Sequence, residues 1–168
     1  MFALALEKHF GSKVTLINKA VDGTTSENGL KLVKDQQLGK ERPDLAIIAF
    51  GMNDVYYQHA AEKYQANIRG MIDQIRADSP NTEFILVAPL LANAERGVTM
   101  KLFPQNRDAL AKLCGPGVAL ADLTSTWGEL LKRKTYYDLT GNGVKHPNDF
   151  GHRIYAQTIL ALLIDAPK

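Results

Sequence analysis

The chain has 168 residues, 45% of them hydrophobic, which suits one α/β-sized domain spanning residues 1–168 and excludes compositional disorder. Its 20 basic and 18 acidic residues leave a net charge of +2, and Lys132-Arg133-Lys134, the densest basic stretch, reads as a solvated helix end, so no nucleic-acid partner is expected. No apolar run is long enough to span a membrane, Met1-Phe2-Ala3-Leu4-Ala5-Leu6 is too short for a secretory signal core, and no cofactor or metal is implied by a Gly-rich phosphate loop or by the spacing of the histidines.

Phe2, Leu6, His9 and Phe10 fall at helical spacing, so residues 2–10 read as a helix closed by Gly11. Val14 to Asn18 is a short β-rich run, and Leu30, Val33 and Leu38 mark a helix over 25–38. Leu45 to Phe50 is continuously apolar between Pro43 and Gly51, the pattern of a strand buried on both faces. Tyr64, Ile68, Met71, Ile72 and Ile75 form one stripe of a helix over 61–77. Phe84 to Ala88 is a further buried strand stopped by Pro89, and the long stretch Leu90–Thr99 suits a lid. A helix over 105–114 carries the one cysteine, Cys114, expected to be a buried structural thiol. Val118 to Asp122 is a fourth strand, Thr126-Trp127-Gly128-Glu129 has capping-box spacing, and a last helix from about 150 to 164 turns Ile154, Tyr155, Ile159, Leu162 and Leu163 inward.

Four strands alternating with helices predict a doubly wound parallel sheet covered on both faces, a three-layer α/β fold. Ligands of such sheets bind beyond the carboxyl ends of the strands. Three segments meet that condition: residues 18–25 around Gly23, Gly51-Met52-Asn53-Asp54, and His146-Pro147-Asn148-Asp149-Phe150-Gly151-His152 before the last helix.

A G-x-N-D after a buried strand, followed by H-P-N-D-x-G-H before the final helix, resembles the SGNH (GDSL-like) ester hydrolases over nearly the whole chain. The resemblance implies a flavodoxin-like sheet and hydrolysis of small acyl esters, including acetyl esters of carbohydrates. It implies that the backbone N–H of Gly23 and the side-chain amide of Asn53 face the oxyanion, and that His146 is the general base. Asp54 is expected to brace its loop. His152 is expected to be structural, and His9 and His59 to be surface or packing residues.

Two departures follow from the same resemblance. The family's G-D-S block with the nucleophile is not found, and the chain begins in the helix expected after it, so the first strand of the sheet is expected to be missing. Of Ser12, Ser26, Ser79 and Ser125, only Ser26 lies near the Gly23 loop, and the family presents its serine from another strand. The family often shows D-x-x-H, but the residue three before His146 is Gly143, with Asn142, Asp138 and Asp149 at other spacings. The missing strand would belong between residues 14–18 and 45–50. The expectation is a longer protein, a sheet closed by direct pairing of those two runs, or a homo-oligomer that fills the gap. A non-catalytic domain that binds a sugar or acyl ligand is the competing reading, and an unrelated flavodoxin-like binding or signalling domain is a third.

Overall fold

The computed structural model describes residues 2–97 and 99–164; Val98, in the stretch expected to be a lid, lies outside them. Three parallel strands, β1 (Leu45–Ala49), β2 (Glu83–Val87) and β3 (Val118–Ala121), lie in the order β1-β2-β3. The helices are α1 (Phe2–Phe10), α2 (Ser26–Asp35), α3 (Met52–Tyr56), α4 (Ala61–Asp78), α5 (Leu102–Ala111), α6 (Leu123–Leu131), α7 (Tyr136–Leu139) and α8 (Asp149–Leu160).

Side chains alternate across the central strand and so build two cores. Phe84 and Leu86 join Ile48 and Val118 against Val33 of α2, Ile68, Met71, Ile72 and Ile75 of α4, and Leu110 of α5. Ile85 and Val87 point the other way, toward Leu123 of α6 and Ile159 and Tyr155 of α8, with Phe2 of α1. The result is the expected three-layer α/β arrangement with a parallel sheet, and the α4 stripe is buried at every residue read from its periodicity.

The run Val14–Asn18 is not a strand. Extended backbone becomes a strand only when a neighbour takes its N–H and C=O groups. Here the Val14 N–H donates to the Glu7 carboxylate at 2.9 Å, and Leu16 and Ile17 are 69% and 48% exposed. The sheet therefore has three strands among the described residues, and it has not closed up by direct pairing of 14–18 with β1.

β1 also departs from its expected burial. It lies at the edge of the sheet, and Ile47 is 39% exposed while Ile48 is buried. The apolar cluster on that face includes Leu45 but not Ile47. The unpaired edge and the exposed Leu16, Ile17, Val21 and Ile47 all lie in the first third of the chain.

Three smaller readings are corrected. α5 ends at Ala111, so Cys114 leaves the helical stripe in the following turn and is exposed, although partial packing raises its thiol pKa. The cap of α6 is Asp122, whose carboxylate accepts the Ser125 N–H at 2.9 Å, and Thr126 lies inside the helix. α8 stops at Leu160, which leaves Leu162 exposed beyond its end.

The stretch after β2 is anchored over its first residues. Ala92 and Asn93 are buried, the Asn93 N–H donates to the Val144 carbonyl at 2.9 Å, and its amide donates to the Gly143 carbonyl at 3.1 Å. These bonds tie the segment after the central strand to the loop that carries His146.

Candidate active site

The chain leaves β1 through Gly51, whose φ of 118° is open to glycine. A Cβ there would also meet the Pro89 ring at 3.0 Å and the Tyr64 hydroxyl at 3.2 Å. This turn starts α3 at once, and α3 presents Asn53 and Asp54 in its first turn.

The two side chains hold the Gly23 segment at adjacent points. The Asn53 amide donates to the Thr24 carbonyl at 2.9 Å. Asp54 is fully buried and accepts the Ser26 N–H at 3.0 Å and the Ser26 hydroxyl at 2.6 Å. Its carboxylate also meets His59 Nδ1 at 3.2 Å, and the Asn67 amide donates to the Ser26 hydroxyl oxygen at 3.0 Å. A four-residue polar network thus fastens the start of α2 to α3 and α4.

The network settles several of the sequence readings. Asp54 braces the loop, as expected. His59 is not merely a surface or packing residue, because it completes the coordination of Asp54. Ser26 is fully buried, with its hydroxyl proton directed to Asp54 rather than to a histidine. Of the other serines, Ser125 donates to Asp122 at 2.7 Å, Ser79 is buried and accepts from Thr82 at 2.9 Å, and the exposed Ser12 lies 3.4 Å from the Phe10 carbonyl. None of the four hydroxyls hydrogen-bonds a histidine, so none is activated as a nucleophile.

An amide NH₂ has two donors. In Asn53 the bond to Thr24 uses one and fixes the plane of the group, leaving the second N–H for a ligand. Gly23, one residue before Thr24, has a φ of 72°, is exposed, and has no atom within 4 Å of where a Cβ would stand. The Thr24 hydroxyl closes this turn on the Val21 carbonyl at 2.7 Å. Gly23 and Asn53 are therefore brought together at the carboxyl end of β1.

His146 arrives from the other side. The Asn142 side-chain oxygen accepts the N–H groups of Val144, Lys145 and His146 at 3.0, 3.1 and 3.2 Å and so shapes the loop. The Lys145 ammonium lies 5.3 Å from the centre of the Tyr56 ring, which places the neighbour of His146 against α3. The imidazole of His146 is exposed and makes no hydrogen bond among the described residues, and it makes no direct contact with Gly23 or Asn53.

The structure also explains why no acid stands three residues before His146. Gly143 has a φ of 65°, and a Cβ there would lie 2.6 Å from the Tyr137 ring. An aspartate there would sit in a strained backbone conformation and would have to push the exposed Tyr137 ring aside. Asp138 is spent on Thr135, whose N–H and hydroxyl it accepts, and these bonds hold its pKa below the usual value. Asn148 caps α8 by accepting the Gly151 N–H at 2.9 Å, and a Cβ at Gly151 would run into the Leu139 carbonyl and would stand 3.0 Å from the Trp127 ring, so only glycine lets the helix start there. His152 is exposed in the first turn of α8.

No group of three or more His, Cys, Asp or Glu residues suited to a metal ion occurs among the described residues, and no helix described is long and apolar enough to cross a membrane. A model of the GDSL-like lipase/acylhydrolase family matches residues 1–154. No curated protein matches the sequence. Among solved structures, a variant of Axe2, an acetyl-xylooligosaccharide esterase from Geobacillus stearothermophilus, superposes with a TM-score of 0.81 at 20% identity, over 99% of this chain and 81% of that one. LAE5, an α/β hydrolase from the metagenome of Lake Arreo in Spain, superposes with a TM-score of 0.72 at 19% identity, over 95% of this chain and 79% of that one. Axe2 has also been solved as catalytic variants altered at a serine, an aspartate and a histidine. These identities show a shared fold.

Proposed function

We propose that this chain, which belongs to the GDSL-like lipase/acylhydrolase family, carries the oxyanion site and the base of an ester hydrolase whose nucleophile it does not itself supply. The observation that carries this reading is the Asn53 amide, locked by one N–H to the Thr24 carbonyl and free with the other, beside the open backbone of Gly23.

The acyl carbonyl oxygen lies between the Gly23 N–H and the free Asn53 N–H. Attack at the carbonyl carbon puts negative charge on that oxygen, where fixed donors stabilise it more than they stabilise the ester. His146 takes the proton of the attacking group and returns it to the leaving alcohol. The substrate is a small acyl ester, with acetyl esters of carbohydrates as the favoured class, in keeping with the acetyl-xylooligosaccharide esterase name of Axe2.

A serine-bearing strand that pairs with the free edge of β1 supplies the nucleophile in this reading. The support is threefold: β1 lacks a neighbour on one side among the described residues, Ile47 is exposed there, and none of the four serine hydroxyls hydrogen-bonds a histidine. Without that strand, the remaining site activates water directly. Residual catalysis of this kind, from an oxyanion site without its full catalytic set, amounts to roughly 10³–10⁴ over water.

A second reading, a domain that binds an acyl or sugar ligand without turning it over, draws support from the unpartnered imidazole of His146 and from Gly143 in the place of an acid. Treatment with a serine-reactive fluorophosphonate, followed by peptide mass spectrometry, and a parallel assay of phenyl acetate separate these readings. Slow hydrolysis with no adduct at any serine is expected. An adduct on one of the four serines would overturn the missing nucleophile, and hydrolysis no faster than buffer would favour the binding domain.

A further inference from the structure

Two tyrosines stand at the site and do nothing in the chemistry described above. Tyr56 and Tyr57 are 61% and 60% exposed, and neither hydroxyl has a hydrogen-bond partner among the described residues. Large exposed rings side by side are unusual on a surface unless they meet something. They follow Asn53 by three and four positions, and the Tyr57 N–H donates to the Asn53 carbonyl at 2.8 Å. Helical neighbours at these spacings share a face with Cβ atoms roughly 5–6 Å apart. The same turn that aims the Asn53 amide thus sets both rings beside it.

The two rings meet edge to face, with centroids 5.4 Å apart and planes at 86°. They form a corner rather than a channel, which suits a compact ring better than a long acyl chain. Polar groups stand against both rings: the Lys145 ammonium sits over the Tyr56 ring, 5.3 Å from its centre, where an incoming sugar displaces it or bonds to it, and the His59 ring is 6.3 Å from that of Tyr57. Apolar ring faces bounded by hydrogen-bonding groups match a pyranose, which presents C–H groups on its faces and hydroxyls around its rim. A protein partner would need a specific interface of about 1,000 Å² or more, beyond what two rings provide.

We propose that Tyr56 and Tyr57 form the subsite for the alcohol portion of the substrate, stacking the sugar ring of an O-acylated saccharide while its acyl carbonyl lies at Asn53. This inference rests on the ester-hydrolase reading of the site and names what sets its specificity. Cβ atoms at these helical spacings stand roughly 5–6 Å apart, so the amide and the rings rise from neighbouring points of one turn, close enough for one acetylated sugar to meet both.

The test compares two probes on the full chain: methyl 2-O-acetyl-β-D-xylopyranoside and ethyl acetate, which has the same acyl group without a sugar. Binding and hydrolysis are followed by ligand-detected NMR for the unaltered protein, Tyr57→Ala, Tyr57→Phe and Asn53→Ala, with thermal unfolding as a check of folding. Tyr57→Ala is expected to weaken the saccharide ester roughly three- to tenfold and leave ethyl acetate unchanged. Tyr57→Phe is expected to keep saccharide binding, and Asn53→Ala to slow hydrolysis of both probes. Equal saccharide binding by Tyr57→Ala and the unaltered protein, with hydrolysis slowed in Asn53→Ala, would overturn the aromatic subsite and leave the ester site standing. Hydrolysis of both probes at unchanged rates in Asn53→Ala would overturn both. A dimer of the unaltered chain that Tyr57→Ala dissociates in sedimentation would also overturn the proposal, by assigning the rings to a second copy.

Discussion

Replacement of Asn53 by alanine lowers hydrolysis of a small activated ester by about 10²–10³-fold, the cost of removing one oxyanion donor. The amide has a partner before any substrate arrives: its bond to the Thr24 carbonyl at 2.9 Å fixes the direction of the second N–H. A donor held in place by the protein needs no reorganisation as charge develops, which is the source of the large effect. Asn53→Asp has the same shape but only acceptor oxygens when ionised, so it falls at least as far as the alanine variant. Its carboxylate also faces the Thr24 carbonyl, which repels it. Rate measurements on both variants, with thermal unfolding alongside, check the result. A fall of less than about threefold in either variant would remove Asn53 from the oxyanion site.

Replacement of Asp54 by alanine has the largest expected effect on stability, a loss of about 3 kcal/mol or more. The carboxylate is fully buried and receives the Ser26 N–H, the Ser26 hydroxyl and a His59 contact. Alanine leaves those groups facing one another without an acceptor, and each buried polar group so stranded costs about 1–3 kcal/mol. The loss also frees the start of α2 from α3, so the Gly23 turn no longer keeps its place beside Asn53. Asp54→Asn retains one acceptor oxygen and is expected to lose less than alanine. Chemical denaturation of both variants measures the difference, and a loss below about 1 kcal/mol for alanine would show that the network does not hold the loop.

What could be read from the sequence and what could not divide along physical lines. The turn Gly51–Asp54 was legible as a candidate because it follows an apolar run, and the carboxyl ends of parallel strands are where such folds gather their ligands; Gly23 was reached by the same rule although the run before it is not a strand. The α4 stripe could be found because its 3.6-residue period reports one buried face. The run 14–18 was misjudged because a strand is a relation between two segments, and β-branched residues cannot declare whether a partner is there. β1 was misjudged for the same reason: a continuously apolar run does not show which of its faces will be covered.

The Ser26–Asp54–His59 network was invisible for a different reason. Ser26 and Asp54 are 28 positions apart and meet only because α2 packs beside α3. A signal did exist in part, since an Asp following the Asn of G-x-N-D lies in the first turn of a short helix and must turn inward if that Asn faces the mouth. Gly143 was read as a departure from the expected acid; its positive φ and the nearby Tyr137 ring turn that departure into a property of the loop. Helical periodicity carries Cys114 inward beside Leu110 and Leu113, but α5 ends at Ala111, three residues short of it.

The most direct measurement is the release of 4-nitrophenol from 4-nitrophenyl acetate by the intact chain and by His146→Ala at the same pH. The account predicts slow hydrolysis without an initial burst in the intact chain, lost in the variant. A burst of one equivalent of nitrophenol would contradict the missing nucleophile, and equal rates in the two proteins would contradict the role of His146.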